Sequence, residues 1–284
     1  LNPLTLLFDE PSELPETEEE PTGITEEAIN VRYSRTEILA GKDFAKCTEE
    51  ELEELYKVMR QLRLHGQNKR SRRLKTSRNG RYLDLRRTMK AALRIGGDPI
   101  QLFFQNPGER PRRLVLLLDV SGSMETYARS LIRFVHAAIA GRNQVEAFTL
   151  GTRLTRLTRE LSSRDPDVAL SRAAQTVPDW SGGTRLGEGL RLFNDEWGIR
   201  GMARGATVVI LSDGWDRGET EILEEQMERL SRVSHQIVWV NPLKATPGYE
   251  PLAKGMSAAL PYIDHFLAGH NLVSLQTLTK VISE

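Results

Sequence analysis

Between residues 114 and 242, short unbroken apolar runs alternate with stretches whose apolar residues recur every three or four positions. Residues 114–118 form the first run, which ends in Asp119. Met124, Tyr127, Ala128, Leu131, Ile132, Val135 and Ile139 then share one face of a helix that stops at Gly141. The same reading predicts strands over 145–151, 207–213 and 236–242, with 153–158 as an alternating edge strand. Helices are predicted over 166–176, 185–198 and 219–232, and residues 258–282 read as a closing helix pair with Ser274 capping its second member. Fully apolar strands between helices belong to a parallel sheet covered on both faces. The expected class is therefore α/β, a doubly wound, mostly parallel sheet with ligands at the carboxyl ends of its strands.

The first 110 residues follow another pattern. Residues 1–30 hold nine acidic residues and no Lys or Arg, and read as an acidic, disordered tail. Residues 31–110 read as a helical extension without strand alternation, and 111–284 as the α/β domain, with PGERPRR (107–113) as the boundary. Within the extension, Thr48 and Glu51 make a capping box for a helix over 49–64. Asp84 caps a second helix with Leu85, Met89, Ala92 and Leu93 on one face, ended by Gly96-Gly97. Between the helices lies a basic loop, KRSRRLKTSRNGR (69–81). Residues 60–113 carry sixteen Lys or Arg against three acids, a net of +13. Such a run can neutralise phosphates, but Tyr82 is its one neighbouring aromatic and no nucleic-acid module surrounds it. A solvated or partner-facing segment is the expected reading, with a nucleic-acid adaptor as an alternative.

Composition sets milder bounds. The 284 residues are 39% hydrophobic and 27% charged with zero formal net charge, enough to bury a sizeable core. No apolar run approaches the roughly 20 residues of a membrane span, and the opening residues lack the features of a secretory signal. The one cysteine, Cys47, rules out an intrachain disulfide framework and points to a reducing, cytoplasmic setting.

Candidate chemistry gathers at the predicted strand ends. Asp119, Ser121 and Ser123 form a D-x-S-x-S cluster. Thr184 follows two glycines in SGGTRLG, and Asp213 ends a buried strand in LSDGWDRG. Two carboxylates and three hydroxyls form an oxygen-only set suited to a hard divalent cation, Mg2+ foremost with Mn2+ or Ca2+ as alternatives. A metal-dependent phosphohydrolase is the competing reading. Against it, the chain has no phosphate-cradling G-x-x-x-x-G-K-[ST] loop, and the three ligand loops contain neither Lys nor His. The five histidines are scattered, with His136 expected on the polar side of its helix. Arg185 and Arg217 flank the cluster and read as rim charge, Trp215 reads as a packing residue, and Trp180 fits either role.

DVSGSM, GGTRLG and SDGWDRG resemble the three segments of the metal-ion-dependent adhesion site of von Willebrand factor type A domains, and SDGWDRGE with RRTMKAALRIGGDPI is similar to the CoxE-like branch. The resemblance implies a von Willebrand A, Rossmann-like fold with metal held by Asp119, Ser121, Ser123, Thr184 and Asp213. It also implies a non-catalytic adaptor that grips an acidic side chain of a client. Its implied partner is a MoxR-type AAA+ ATPase, in the maturation of metalloenzymes such as carbon monoxide dehydrogenase. Glu18, Glu19 and Glu20 are a candidate internal ligand for the open metal position.

Overall fold

In the computed structural model, residues 35–62, 66–97, 101–177, 183–251 and 253–284 are described; the acidic stretch 1–30 and Trp180 lie outside them. Residues 35–41 form helix α1. Helix α2 (Glu49–Met59) starts with the expected reciprocal cap. The Glu51 amide donates to Thr48 Oγ1 at 3.3 Å and the Thr48 amide to Glu51 Oε2 at 2.8 Å. Its apolar stripe, Leu55, Tyr56 and Met59, is buried.

The basic segment is not a loop. Residues Asn68–Ser77 are a strand, β1, which pairs antiparallel with β3 (Phe104–Pro111); the short β2 (Tyr82–Leu83) pairs with the other side of β3. The expected boundary at 107–113 thus falls inside a strand. Helix-only reading failed here because β1 is held by ladder hydrogen bonds while most of its side chains face solvent, so it shows no apolar alternation. Between β2 and β3, α3 (Leu85–Ala92) starts at Asp84, whose Oδ1 accepts from the Arg87 amide at 3.0 Å, and runs into a 3-10 turn (Leu93–Ile95) closed by Gly96 with φ 100°. Of its predicted apolar face only Ala92 is buried. Leu85, Met89 and Leu93 are exposed, and Thr88 and Ala92 are buried.

A six-stranded sheet follows. Its strands are β4 (Leu114–Asp119), β5 (Val145–Leu150), β6 (Leu154–Arg156), β7 (Thr207–Leu211), β8 (Gln236–Asn241) and β9 (His265–Ala268), in the spatial order β6-β5-β4-β7-β8-β9. All neighbours are parallel except the edge strand β6. Every residue of β4 is at most 2% exposed. Leu114, Leu116 and Leu118 pack into one core, together with Leu131 and Val135 of α4 (Glu125–Gly141) and Leu275 and Leu278 of α9 (Leu272–Ser283). Val115 and Leu117 face the opposite core, with Leu186 and Leu190 of α6 (Leu186–Phe193) and Leu223 and Met227 of α7 (Thr220–Ser231). Each such side chain contributes about 1.5–3 kcal/mol through burial. Helix α5 (Pro166–Thr176) and the short α8 (Lys254–Ala259) complete the layers, and α6 runs on into a π-helical stretch, Asn194–Met202. Among the described residues no helix is long and apolar enough to cross a membrane.

Two further expectations need correcting. Residues 258–282 are not a helix pair: His265–Ala268 adds a parallel strand to β8. Asn271 caps α9, with Ser274 as the reciprocal partner. The short strand HFLA was hidden because its four residues sit at a sheet edge and carry no clear period. His136 is buried, with Nε2 2.8 Å from the Ser163 carbonyl, because the segment between β6 and the 166–176 helix covers a second side of α4.

The connectivity fixes where ligands can bind. The chain leaves β4 for β5 on one side and returns through β7 on the other, so the strand order reverses between β4 and β7. A crevice opens at the carboxyl ends of strands at such a switch point.

Candidate metal centre

The register places Leu118 opposite Leu211, so Asp119 and Ser212 leave the sheet side by side in the crevice. Asp119 is fully buried. Its Oδ1 accepts from the Ser121 amide at 2.9 Å and from Thr184 Oγ1 at 2.8 Å, and its Oδ2 from Ser212 Oγ at 2.6 Å. Burial pushes its carboxyl up from an ordinary 3.8 to about 6. The hydrogen bonds from Ser212, the Ser121 amide and Thr184 oppose that rise, and the charge of Asp213 adds to it.

The other expected ligands converge on the same crevice. Ser121 and Ser123 stand at the entry to α4 with their Oγ atoms 3.1 Å apart, Ser121 buried and Ser123 exposed. Thr184 and Asp213 are buried. By donating its proton to Asp119, Thr184 keeps its oxygen lone pairs for another partner. Ser121, Ser123 and Thr184, with Gly122, Gly183, Trp215 and Arg217, line a cavity of about 420 Å3. Among the described residues, no group of three or more His, Cys, Asp or Glu is placed to share a metal. A cation here would depend on hydroxyls as well as carboxylates, and such a donor set fits Mg2+ or a similar hard ion.

Two residues of the site escaped sequence reading. Ser212 bridges Asp119 to the following loop by also accepting from the Gly214 amide at 3.0 Å. Asp216 braces the crevice: its carboxylate accepts from the amides of Leu186 at 2.9 Å, Gly187 at 3.1 Å and Gly218 at 2.8 Å. It thereby ties the Thr184 loop to the Asp213 loop, and the Arg217 amide adds a 3.2 Å bond to the Thr184 carbonyl. The signal for Asp216 was the D-R-G triplet of an Asx turn. Trp215 is not a packing residue, since it is 63% exposed at the mouth of the cavity. Its neighbours explain this: Asp213 Oδ1 accepts from the Trp215 amide, and Gly214 has φ 79°, a turn that sends the indole outward. Among the described residues no histidine lines the cavity.

Comparison with known proteins gives the family. The solved structures matched by this chain include proximal thread matrix protein 1 from the mussel byssus, at 14% identity over 60% of this chain and 47% of that one, with a TM-score of 0.41. The same protein with a zinc occupied MIDAS motif matches at 13% identity, over 60% and 46% of the two chains, with a TM-score of 0.40. A von Willebrand factor type A protein from Catenulispora acidiphila matches at 13% identity, over 62% and 43%, with a TM-score of 0.44. The chain thus spans less than half the length of these proteins. No curated protein matches it. The family model described as VWA domain containing CoxE-like protein matches residues 55–275, and the chain belongs to that family.

Proposed function

We propose that the chain is a non-catalytic, metal-dependent interaction adaptor of the cytoplasm. Asp119, Ser121, Ser123, Thr184 and Asp213 hold a divalent cation, Mg2+ foremost, at the switch point of the sheet. When bound, the cation supplies an electrophilic position for a carboxylate oxygen of a client or partner. The residues of the chain do the rest. Asp119 anchors the three segments by accepting from each of them, and its burial keeps water from competing for those bonds. Ser123 and Trp215 leave the mouth open to a visiting side chain. The observation that carries this reading is the gathering of three hydroxyls, Ser121, Ser123 and Thr184, on one solvent-open cavity whose described lining has no Lys or His, with the Asp119 carboxylate bonded to Thr184 behind them and the Asp213 charge near enough to raise the Asp119 carboxyl further.

Membership of the CoxE-like family supports the non-catalytic role and a MoxR-type AAA+ ATPase as the partner that supplies ATP hydrolysis. In that division of labour this chain selects the target in metalloenzyme maturation and the ATPase does the work. Calorimetric titration of EDTA-stripped protein with MgCl2 tests the site. One ion per chain is expected for the wild type and none for Ser121→Ala/Ser123→Ala; undiminished binding in the variant overturns the assignment. Metal-dependent turnover of generic phosphoesters that Asp119→Ala abolishes would overturn the non-catalytic role.

A further inference from the structure

The cavity at the candidate metal centre does not end there. It shares Gly183 and Arg217 with a second cavity of about 570 Å3, which also takes in Arg185. That one shares Arg185 with a third, of about 380 Å3, which reaches Arg153 and the apolar Leu154 and Leu192. Together they make one continuous cleft along the carboxyl edge of the sheet, from Trp215 past the hydroxyl cluster to β6.

Four arginines line its course, Arg153, Arg185, Arg191 and Arg217. Among the described residues, Arg153, Arg185 and Arg217 form no ion pair with a carboxylate. Among the described residues, the one acid lining the cleft, Glu188, is held by Arg191 at 2.5 Å. Placement of these cations is not accidental packing. Arg217 is fixed at its amide by Thr184, and its guanidinium lies against Gly183, where an added Cβ would stand 2.6 Å from Nη1. The glycine therefore lets the arginine lie between the first cavity and the second. Arg185 follows Thr184 directly, and Arg153 sits in the β5–β6 connection.

We infer that the cleft takes an extended acidic peptide carrying several carboxylates, one for the metal centre and the others for Arg217, Arg185 and Arg153. This rests on the carboxylate-gripping reading above and deepens it from a single acidic side chain to an acidic stretch. Guanidinium groups bind carboxylates through paired, charge-assisted hydrogen bonds. Spread along a cleft rather than converging on one point, they suit a chain of separate acids better than a single phosphate. Apolar surface at both ends, Trp215 and Leu192, matches residues flanking the acidic run.

Fluorescence anisotropy with the full chain tests this. The probes are two labelled peptides, one with a single glutamate in a Gly/Ser background and one with three glutamates at alternate positions. In Mg2+, the three-glutamate peptide is expected to bind about tenfold more tightly, a net ~1.4 kcal/mol from its two additional carboxylates together. Arg185→Gln/Arg217→Gln should close that gap with the melting temperature preserved. Equal affinity of the two peptides overturns the inference, as does a gap that survives in the arginine variant. A gap closed instead by Arg70→Gln/Arg72→Gln/Arg73→Gln would move the acidic contact to β1 and overturn it too. Binding of the single-glutamate peptide that ignores EDTA would instead refute the metal reading itself, so the two failures are distinct.

Discussion

Replacing Asp119 by Asn should stabilise the metal-free protein, and by an amount the site itself sets. The folded carboxyl sits at about 6 against an ordinary 3.8, mainly because of burial. A folded value above the unfolded one means that the protonated form contributes the stability. That contribution is complete below about pH 4 and is lost as pH rises through about 6. A rise of this size corresponds to about 3 kcal/mol at pH 7.5, of which about half is already lost by pH 5. Asn mimics the neutral carboxyl. Its amide oxygen keeps the bonds from the Ser121 amide and Thr184, and its amide nitrogen donates to Ser212 Oγ, whose two lone pairs also serve Gly214. In EDTA at pH 7.5, urea denaturation should therefore show Asp119→Asn more stable by about 3 kcal/mol, with the gap roughly halved at pH 5. Saturating Mg2+ should reverse the order, because only the wild type gains the roughly 4.1 kcal/mol expected at about a thousandfold excess over the dissociation constant. A variant less stable than the wild type in EDTA, or a gap that does not change with pH, would refute the reasoning.

Asp216→Ala removes the acceptor of three backbone amides, so it should cost about 1–2 kcal/mol of stability. It should also weaken Mg2+ binding by loosening the Thr184 loop. Asp216→Asn should recover part of both, as thermal melts and calorimetry would read; unchanged Mg2+ affinity would show that the brace is irrelevant to the site. Gly187→Ala places a Cβ 2.8 Å from the Leu223 amide nitrogen, where α6 and α7 approach closely. The displacement should cost about 1–3 kcal/mol, more than the helix propensity it gains, so a raised melting temperature would contradict the packing. Trp215→Ala should leave stability within about 0.5 kcal/mol, since the indole is mostly in solvent. It should weaken binding of a carboxylate partner about tenfold or more in a pull-down or anisotropy assay.

Much of the fold was legible because the sheet is buried on both faces. β4, β7 and β8 are runs of Leu, Val and Ile that could hardly sit elsewhere, and the helices between them show a clean 3.6-residue period. The sheet-end positions of Asp119 and Asp213 were legible for a related reason: polar residues that abruptly end an apolar strand have few places to go but the sheet edge. What hid was structure held by backbone bonds. β1 is a ladder of cations against solvent, and β9 is four residues long, so neither has a hydrophobic signature. The bracing roles of Ser212 and Asp216 were hidden for another reason: the D-R-G triplet marked a local turn at Asp216, but the bonds that brace the site reach partners 93 and 30 residues away in the chain. Local spacing cannot announce such contacts.

That separation has a consequence for how the protein comes into being. Asp119 meets Thr184 across 65 residues and Ser212 across 93, so its three hydrogen-bonding segments belong to different parts of the chain. Closing loops of that length is entropically costly, and pairing of parallel strands so far apart is slow. A chain emerging from synthesis has the D-x-S-x-S loop early but has no cavity until β7 slides in beside β4. On the metal-dependent reading proposed above, capture of a cation would certify that the central sheet has closed. An adaptor built this way would stay silent while it is half made, and would acquire its grip in the same event that completes its core.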